Sequence, residues 1–317
     1  MGTHARGRLP QLDGDLFVTD GGIETDLIFH HGLDLPLFAA FPLLDDPQTR
    51  SRLRSYYDGY LAIAREHGAG FVIETPTWRA NPDWAGQLGY TPEQLDALNR
   101  AAVDLAEEVR EAAASDGITA VVSGCIGPRG DGYDPGEAMT SEDAERYHAV
   151  QIKTFADTSA DQVTAITMTN AHEATGVVRA AAAAGIPAAI SFTVETDGKL
   201  PTGQSLREAI EQVDAETSGT AAYFMVNCAH PTHFAGSLES EGDWRHRLLG
   251  LRANASTKSH AELDEATELD EGDPADLGAR HISLRDRLPA VKVLGGCCGT
   301  DTRHVAAIVS AWRAGAR

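Results

Sequence analysis

Short apolar runs rich in β-branched residues alternate along this chain with longer stretches where alanine and leucine recur at helical spacing. The first kind reads as buried strands and the second as amphipathic helices. The pattern predicts strands at 16–19, 70–75, 118–123, 163–169, 188–194, 221–227, 249–253 and 291–294. It places a helix after each, at 50–67, 92–114, 141–158, 172–184, 205–217, 231–248, from 274, and 302–313. Gly185 follows the fourth helix where a C-terminal cap favours glycine.

Eight strand–helix units within 317 residues match the count and size of a single-domain (β/α)8 TIM barrel, an α/β fold. A doubly wound sheet is the alternative. It would favour a G-x-G-x-x-G turn after the first strand, where this chain has Asp20-Gly21-Gly22-Ile23-Glu24-Thr25. No repeat or low-complexity linker divides the chain, so 1–317 reads as one barrel, with 1–14 as a flexible N-terminal tail. In a barrel, chemistry gathers at the C-terminal ends of the strands. Those ends carry Asp20, Glu74 and Thr75, Asn227-Cys228, Asn254, and the segment Gly295-Gly296-Cys297-Cys298-Gly299-Thr300.

Composition narrows the partners. A net charge of −21 and the lack of a basic stripe argue against nucleic acid. No apolar run reaches the roughly 18 residues of a membrane span, and the first 15 residues lack a signal-peptide core. The expected location is the cytoplasm, with small molecules as partners and self-association into a homo-oligomer left open.

Cys228, Cys297 and Cys298 fall at the ends of strands six and eight. Three thiolates converging there would fill three of the four tetrahedral positions of Zn2+ and leave one open, the mark of a catalytic zinc. Bound to zinc, a substrate thiol would be held ionised at neutral pH. Two other readings stand beside this one: buried core cysteines, which is the reading for Cys125, and a vicinal redox disulfide, which a reducing compartment disfavours.

Asn227-Cys228 after an apolar strand and Gly-Gly-Cys-Cys-Gly-Thr near the C-terminus resemble the homocysteine S-methyltransferase family. Asp20-Gly21-Gly22 with Thr25 resembles its D-G-G motif. The segment from Ala69-Gly70 to Thr77-Trp78 resembles its second strand, Gly124 to Pro128 its G-x-x-G-P turn, and His304 its histidine past the cysteines. The resemblance implies a zinc-dependent barrel that moves a methyl group onto the thiol of homocysteine, giving methionine. It implies Cys228, Cys297 and Cys298 as zinc ligands, Asp20 as a contact to the acceptor, and Asn254 near the metal. The candidate substrate contacts are Asp20, Glu74, Thr75, Trp78, Asn227 and Asn254.

The chain departs from the family pattern at the end of strand four, where Ile166 replaces a glutamate that contacts the acceptor's ammonium. Glu74, at the end of strand two, could take over that contact. Alternatively it pairs with Arg79 or Arg129, or the acceptor has no ammonium. The expected donor is a cationic onium compound, S-methylmethionine or S-adenosylmethionine, or a betaine, with Trp78 offering a cation–π face. A non-catalytic zinc- or thiol-binding protein is the remaining alternative. The segment 261–278 carries eight carboxylates and reads as a solvated loop that could steer a cationic donor.

Overall fold

A computed structural model describes residues 5–315 of the chain. Eight parallel strands close into a barrel in sequence order. They are β1 Phe17–Val18, β2 Gly70–Glu74, β3 Ala120–Ile126, β4 Gln162–Met168, β5 Ala188–Phe192, β6 Tyr223–Asn227, β7 Leu248–Ala253 and β8 Val293–Gly296. β8 pairs with β1 through Phe17 opposite Val293 and Val18 opposite Leu294, which shuts the ring. The outer helices are α1 Pro47–Glu66, α2 Pro92–Ser115, α3 Ser141–Ala156, α4 Ala171–Ala184, α5 Leu206–Thr217, α6 Pro231–Phe234, α7 Pro274–Leu284 and α8 Thr302–Ala314.

The helix starts follow from their caps. Thr91 and Ser205 make reciprocal capping boxes with Gln94 and Glu208, and Asp46 caps α1 ahead of Pro47. Gly185 ends α4 at φ 70°, as expected. The expected helix 231–248 is different: α6 is one turn, followed by 3-10 turns at Ser237–Glu239 and Asp243–Arg247. Gly242 stands at φ 148°, outside helical space, and the polar run before it adds little helical propensity. Leu238 and Trp244 still bury themselves against the barrel.

Side chains alternate in and out along each strand, so the barrel interior fills in layers. The lower layer is apolar and includes Phe17, Val72, Val121, Ala189, Met225 and Val293. One step up the same strands, two residues on, the inward positions become polar: Glu74 above Val72, Ser123 above Val121, Ser191 above Ala189, Asn227 above Met225. Ser123 Oγ lies 2.7 Å from Thr164 Oγ1, and Gln162 Nε2 donates to Tyr223 Oη at 3.0 Å. The cysteines that follow β6 and β8 lie above this polar layer.

The expected flexible tail is corrected for the part that is described; residues 1–4 lie outside it. Leu9 and Gln11 are buried at the barrel base, and Gln11 Nε2 donates to Gln162 Oε1 at 2.8 Å. Arg6 donates to the carbonyls of Phe155, Ala156, Thr158 and Ala160, at 2.6–3.3 Å. These carbonyls lie at the end of α3 and in the turn after it, where helical partners run out, and a guanidinium with five N–H groups satisfies them together. Arg6→Ala should lower the free energy of unfolding by about 2 kcal/mol in urea titrations, as expected for several partly exposed hydrogen bonds, with no change in metal content.

Candidate metal centre

Two glycine loops build the site. Gly22 N donates to Thr300 O at 3.0 Å, and Gly296 N donates to Asp20 O at 2.9 Å. The D-G-G turn after β1 and the G-G-C-C-G-T turn after β8 therefore lie backbone against backbone. A β-carbon on Gly22 would collide with the carbonyl of Cys297, and one on Gly296 with Thr300 Oγ1. Only glycine permits that approach.

On this frame Cys228, Cys297 and Cys298 bring their sulfurs within 4.8 Å of one another. Cys228 Sγ and Cys298 Sγ are 3.9 Å apart. Tetrahedral ligands at about 2.3 Å from zinc stand about 3.8 Å apart, so the donor set and its spacing fit that ion. All four cysteines of the chain are free thiols. Cys228 has φ 52°, an uncommon conformation for a residue with a side chain. His260 Nε2, 2.6 Å from the Cys228 carbonyl, helps hold it there.

Polar neighbours surround the sulfurs. The Asn227 amide donates to Cys297 Sγ at 3.7 Å, and its Oδ1 accepts from Thr167 N and Ser191 Oγ. Tyr133 Oη reaches Cys298 Sγ at 3.5 Å and Cys228 Sγ at 3.8 Å, while its ring stacks on His260 at 4.0 Å. Donation from Cys228 and Cys298, then Arg252 and Asn227, holds the Cys297 thiol well below its ordinary range. Cys298 is pushed up by Cys228 and Cys297. One thiolate is thus favoured by the protein alone, and a divalent cation would remove the repulsion that keeps the other two protonated.

The sulfurs open into a cavity of about 400 Å³. Asp20, Glu74, Thr75, Trp78, Cys125 and Ile166 line it, together with Glu24, Arg79, Tyr133 and Arg252. Asp20 is buried and ion-paired, with Oδ1 2.6 Å from Arg252 Nη2 and Oδ2 accepting from Tyr56 Oη at 3.2 Å. Burial still pushes its carboxyl up against the pull of Arg252. Glu74 does not pair with Arg79, which meets Asp131, or with Arg129, which meets Asp83. Neither of its buried carboxylate oxygens makes a hydrogen bond of good geometry; the Ser123 and Thr164 hydroxyls come near enough to hold its pKa down, but burial outweighs them and raises it to about 7. Glu24 is likewise raised to about 7 by burial.

The other expected contacts have partners within the chain, and of them Thr75 and Trp78 line the cavity. The Thr75 hydroxyl bonds to Thr77 and accepts from Cys125 N, tying β2 to β3. Trp78 donates to Ile166 O at 3.1 Å, and Arg79 lies over its ring at 4.7 Å, so a protein cation already covers one face of the ring. Asn227 supports Cys297 and does not line the cavity. Asn254 is buried, with its backbone N–H on Ala229 O, and is also outside the lining. The 261–278 segment is not simply solvated: Leu263, Asp264, Ala266, Glu268, Leu269 and Asp270 form part of the cavity wall. Glu271 ties it down, accepting from His30 and from Arg303, both at 2.7 Å.

Sequence reading missed Arg252 and Tyr133, and weighed Arg79 only as an ion-pair partner for Glu74. Arg252 had a signal, a lone charge near the end of the apolar strand Leu248–Ala253. Tyr133 had none, since it comes from an aperiodic Gly- and Asp-rich loop.

A model of the homocysteine S-methyltransferase family matches residues 17–312. The chain belongs to the homocysteine S-methyltransferase family, and is a methyltransferase. Among solved structures, it is similar to the metallated form of the homocysteine methyltransferase MmuM from Escherichia coli, with TM-score 0.72 and 22% identity over 97% of this chain and 99% of that one. The oxidized form of the same protein gives TM-score 0.74 and 22% identity over 98% and 99%. At that identity the likeness concerns the fold. No curated protein sequence matches. Among the described residues, no helix is long and apolar enough to cross a membrane.

The Glu74 carboxyl has a linked effect on stability. Between about pH 4.5 and pH 7 the unfolded chain releases this proton and the folded chain keeps it, so stability falls as pH rises through that window. Glu74→Gln removes the effect. Its melting temperature should gain on the wild type between about pH 4.5 and pH 7.5, by the equivalent of up to about 3 kcal/mol, read by thermal denaturation. A constant difference across that range would show that Glu74 is not a protonated buried acid.

Proposed function

We propose that Cys228, Cys297 and Cys298 hold a zinc ion and that the enzyme transfers a methyl group from a cationic onium donor to the thiol of homocysteine. The observation that carries this reading is the three-sulfur cluster with zinc-compatible spacing at the wall of a deep cavity. When bound, zinc supplies the Lewis acidity that keeps a thiol ionised at neutral pH. The rest falls to the chain. The Asn227 amide and the Tyr133 hydroxyl donate toward the sulfurs and fix their orientation, as partners of metal ligands do. Barrel walls and the 263–270 wall shield the nucleophile from water and hold donor and acceptor close, which accounts for a large share of a two-substrate rate.

The donor enters past carboxylates. Asp264 and Glu268 are exposed at the rim of the cavity. Their field favours a sulfonium such as S-methylmethionine or S-adenosylmethionine. Methyl transfer neutralises the sulfonium, so the demethylated product is no longer attracted as the donor was.

A second reading keeps the chemistry and changes the acceptor. Ile166 presents an apolar side chain to the cavity at the end of β4, which suits a thiol without an ammonium group at that point.

Purified protein should carry about one zinc per chain, by atomic emission, and Cys298→Ser should lose most of it. Ligand loss should cut methyl transfer from S-methylmethionine to homocysteine by at least about a hundredfold, more than the loss typical of a residue that only supports a ligand. Full activity in the metal-free protein would overturn the zinc reading. Raising ionic strength to about 1 M should lower kcat/KM for the donor several-fold through screening, with little change in kcat. An unchanged kcat/KM would remove the steering role of Asp264 and Glu268.

A further inference from the structure

Three side chains that line the cavity carry buried polar atoms with no hydrogen-bond partner: Glu74, Arg79 and Arg252. An unsatisfied buried polar group is costly, and its persistence beside a cavity points to a ligand that completes it. Glu74 makes no hydrogen bond of good geometry through Oε1 or Oε2 and has no ion partner, with only the Ser123 and Thr164 hydroxyls close by. Arg252 uses Nε on Gly296 O at 3.1 Å and Nη2 on Asp20 Oδ1 at 2.6 Å, and leaves Nη1 open. Glu74 and Arg252 act on each other electrostatically, yet no hydrogen bond joins them. Arg252 also bears on Cys297. An open carboxylate and an open guanidinium N–H thus lie within one another's field, next to the sulfur cluster.

We propose that Glu74 and Arg252 form the receptor for the zwitterionic head of an α-amino-acid thiol, Glu74 taking the ammonium and Arg252 Nη1 the carboxylate. This rests on the acceptor being an amino-acid thiol, and it places head-group recognition on β2 and β7. Asp20, already neutralised by Arg252 and Tyr56, orients the guanidinium and leaves its Nη1 edge for the ligand. Ile166 then faces the ligand's apolar carbon chain. Arg79 is the competing cation. It lies on the rings of Trp78 and Trp84, and the charges that act on it are those of Asp131, Glu24 and Asp264. Its setting is the outer wall.

Three thiols of similar reach separate the two arms: homocysteine, 4-mercaptobutyrate, which lacks the ammonium, and 3-mercaptopropylamine, which lacks the carboxylate. The wild-type enzyme should prefer homocysteine over each by at least about tenfold in kcat/KM, the usual worth of a charge-assisted hydrogen bond. In Glu74→Gln the preference over 4-mercaptobutyrate should collapse to within a few-fold, while the preference over 3-mercaptopropylamine persists. Arg79→Gln should leave both preferences in place. If Glu74→Gln keeps the wild-type preference over 4-mercaptobutyrate, the ammonium assignment is wrong. If Arg79→Gln erases the preference over 3-mercaptopropylamine, the carboxylate belongs to Arg79 and the Arg252 assignment fails. Calorimetric binding of L-methionine, which shares the head group and has no free thiol, reads the receptor without turnover. Wild type should bind it at least about tenfold more tightly than Glu74→Gln does. Binding that survives with no methyl transfer to any thiol would overturn the proposed reaction and keep the receptor; transfer to homocysteine with no loss of L-methionine affinity in Glu74→Gln would do the reverse.

Discussion

The contact between Arg252 and Asp20 governs the top of this barrel. It joins the end of β7 to the end of β1, and through Arg252 Nε it also grips Gly296 at the end of β8. That is the seam where the first and last strands meet, and Cys297 and Cys298 leave from one side of it. Burial pulls the guanidinium toward discharge, but Asp20 and then Glu74 outweigh it and its pKa is raised. Deleting either partner would strand the other in the interior, a loss of about 3–5 kcal/mol for buried pairs. The pair therefore fixes both the backbone that presents Cys297 and the edge of the guanidinium that faces the cavity.

Below that seam the barrel is an ordinary packed core, and above it the rules of a core are suspended. Glu74 is buried with no ion pair and no well-formed hydrogen bond, Cys228 and Thr167 hold positive φ, and three thiols crowd together. Each is unfavourable for an empty protein. Each is also what a site for a cation and a charged ligand requires, since the groups that would compensate them come from outside the chain. The lower apolar layer and the long helices supply the stability that this tolerates.

The sequence made the barrel readable because its periodicity is local. Val72 and Glu74, or Val121 and Ser123, declare strand and phase together, and capping residues such as Thr91 and Ser205 mark helix starts. The paired glycine motifs were readable for a similar reason: their spacing carries steric information that only a close backbone contact explains. What stayed hidden depends on distant partners. Glu74 was visible as a charged strand end, but whether it met Arg79, Arg129 or nothing was set by folds of loops far apart in sequence. Trp78 looked like an open aromatic face because Arg79 could equally have pointed to solvent. The acidic 261–278 stretch has the composition of a solvated loop, yet Leu263 and Leu269 turn it onto the cavity and Glu271 fastens it to His30 and Arg303. Residues 5–14 lack periodicity altogether, and only the carbonyls at the end of α3 and in the turn after it give Arg6 somewhere to go.

That base has a consequence for traffic. With Leu9 and Gln11 seated under the apolar layer, the barrel is a cup and not a pipe. A ligand of the cavity therefore enters and leaves on the side of the strand C-termini, past Glu24, Trp78 and Asp264.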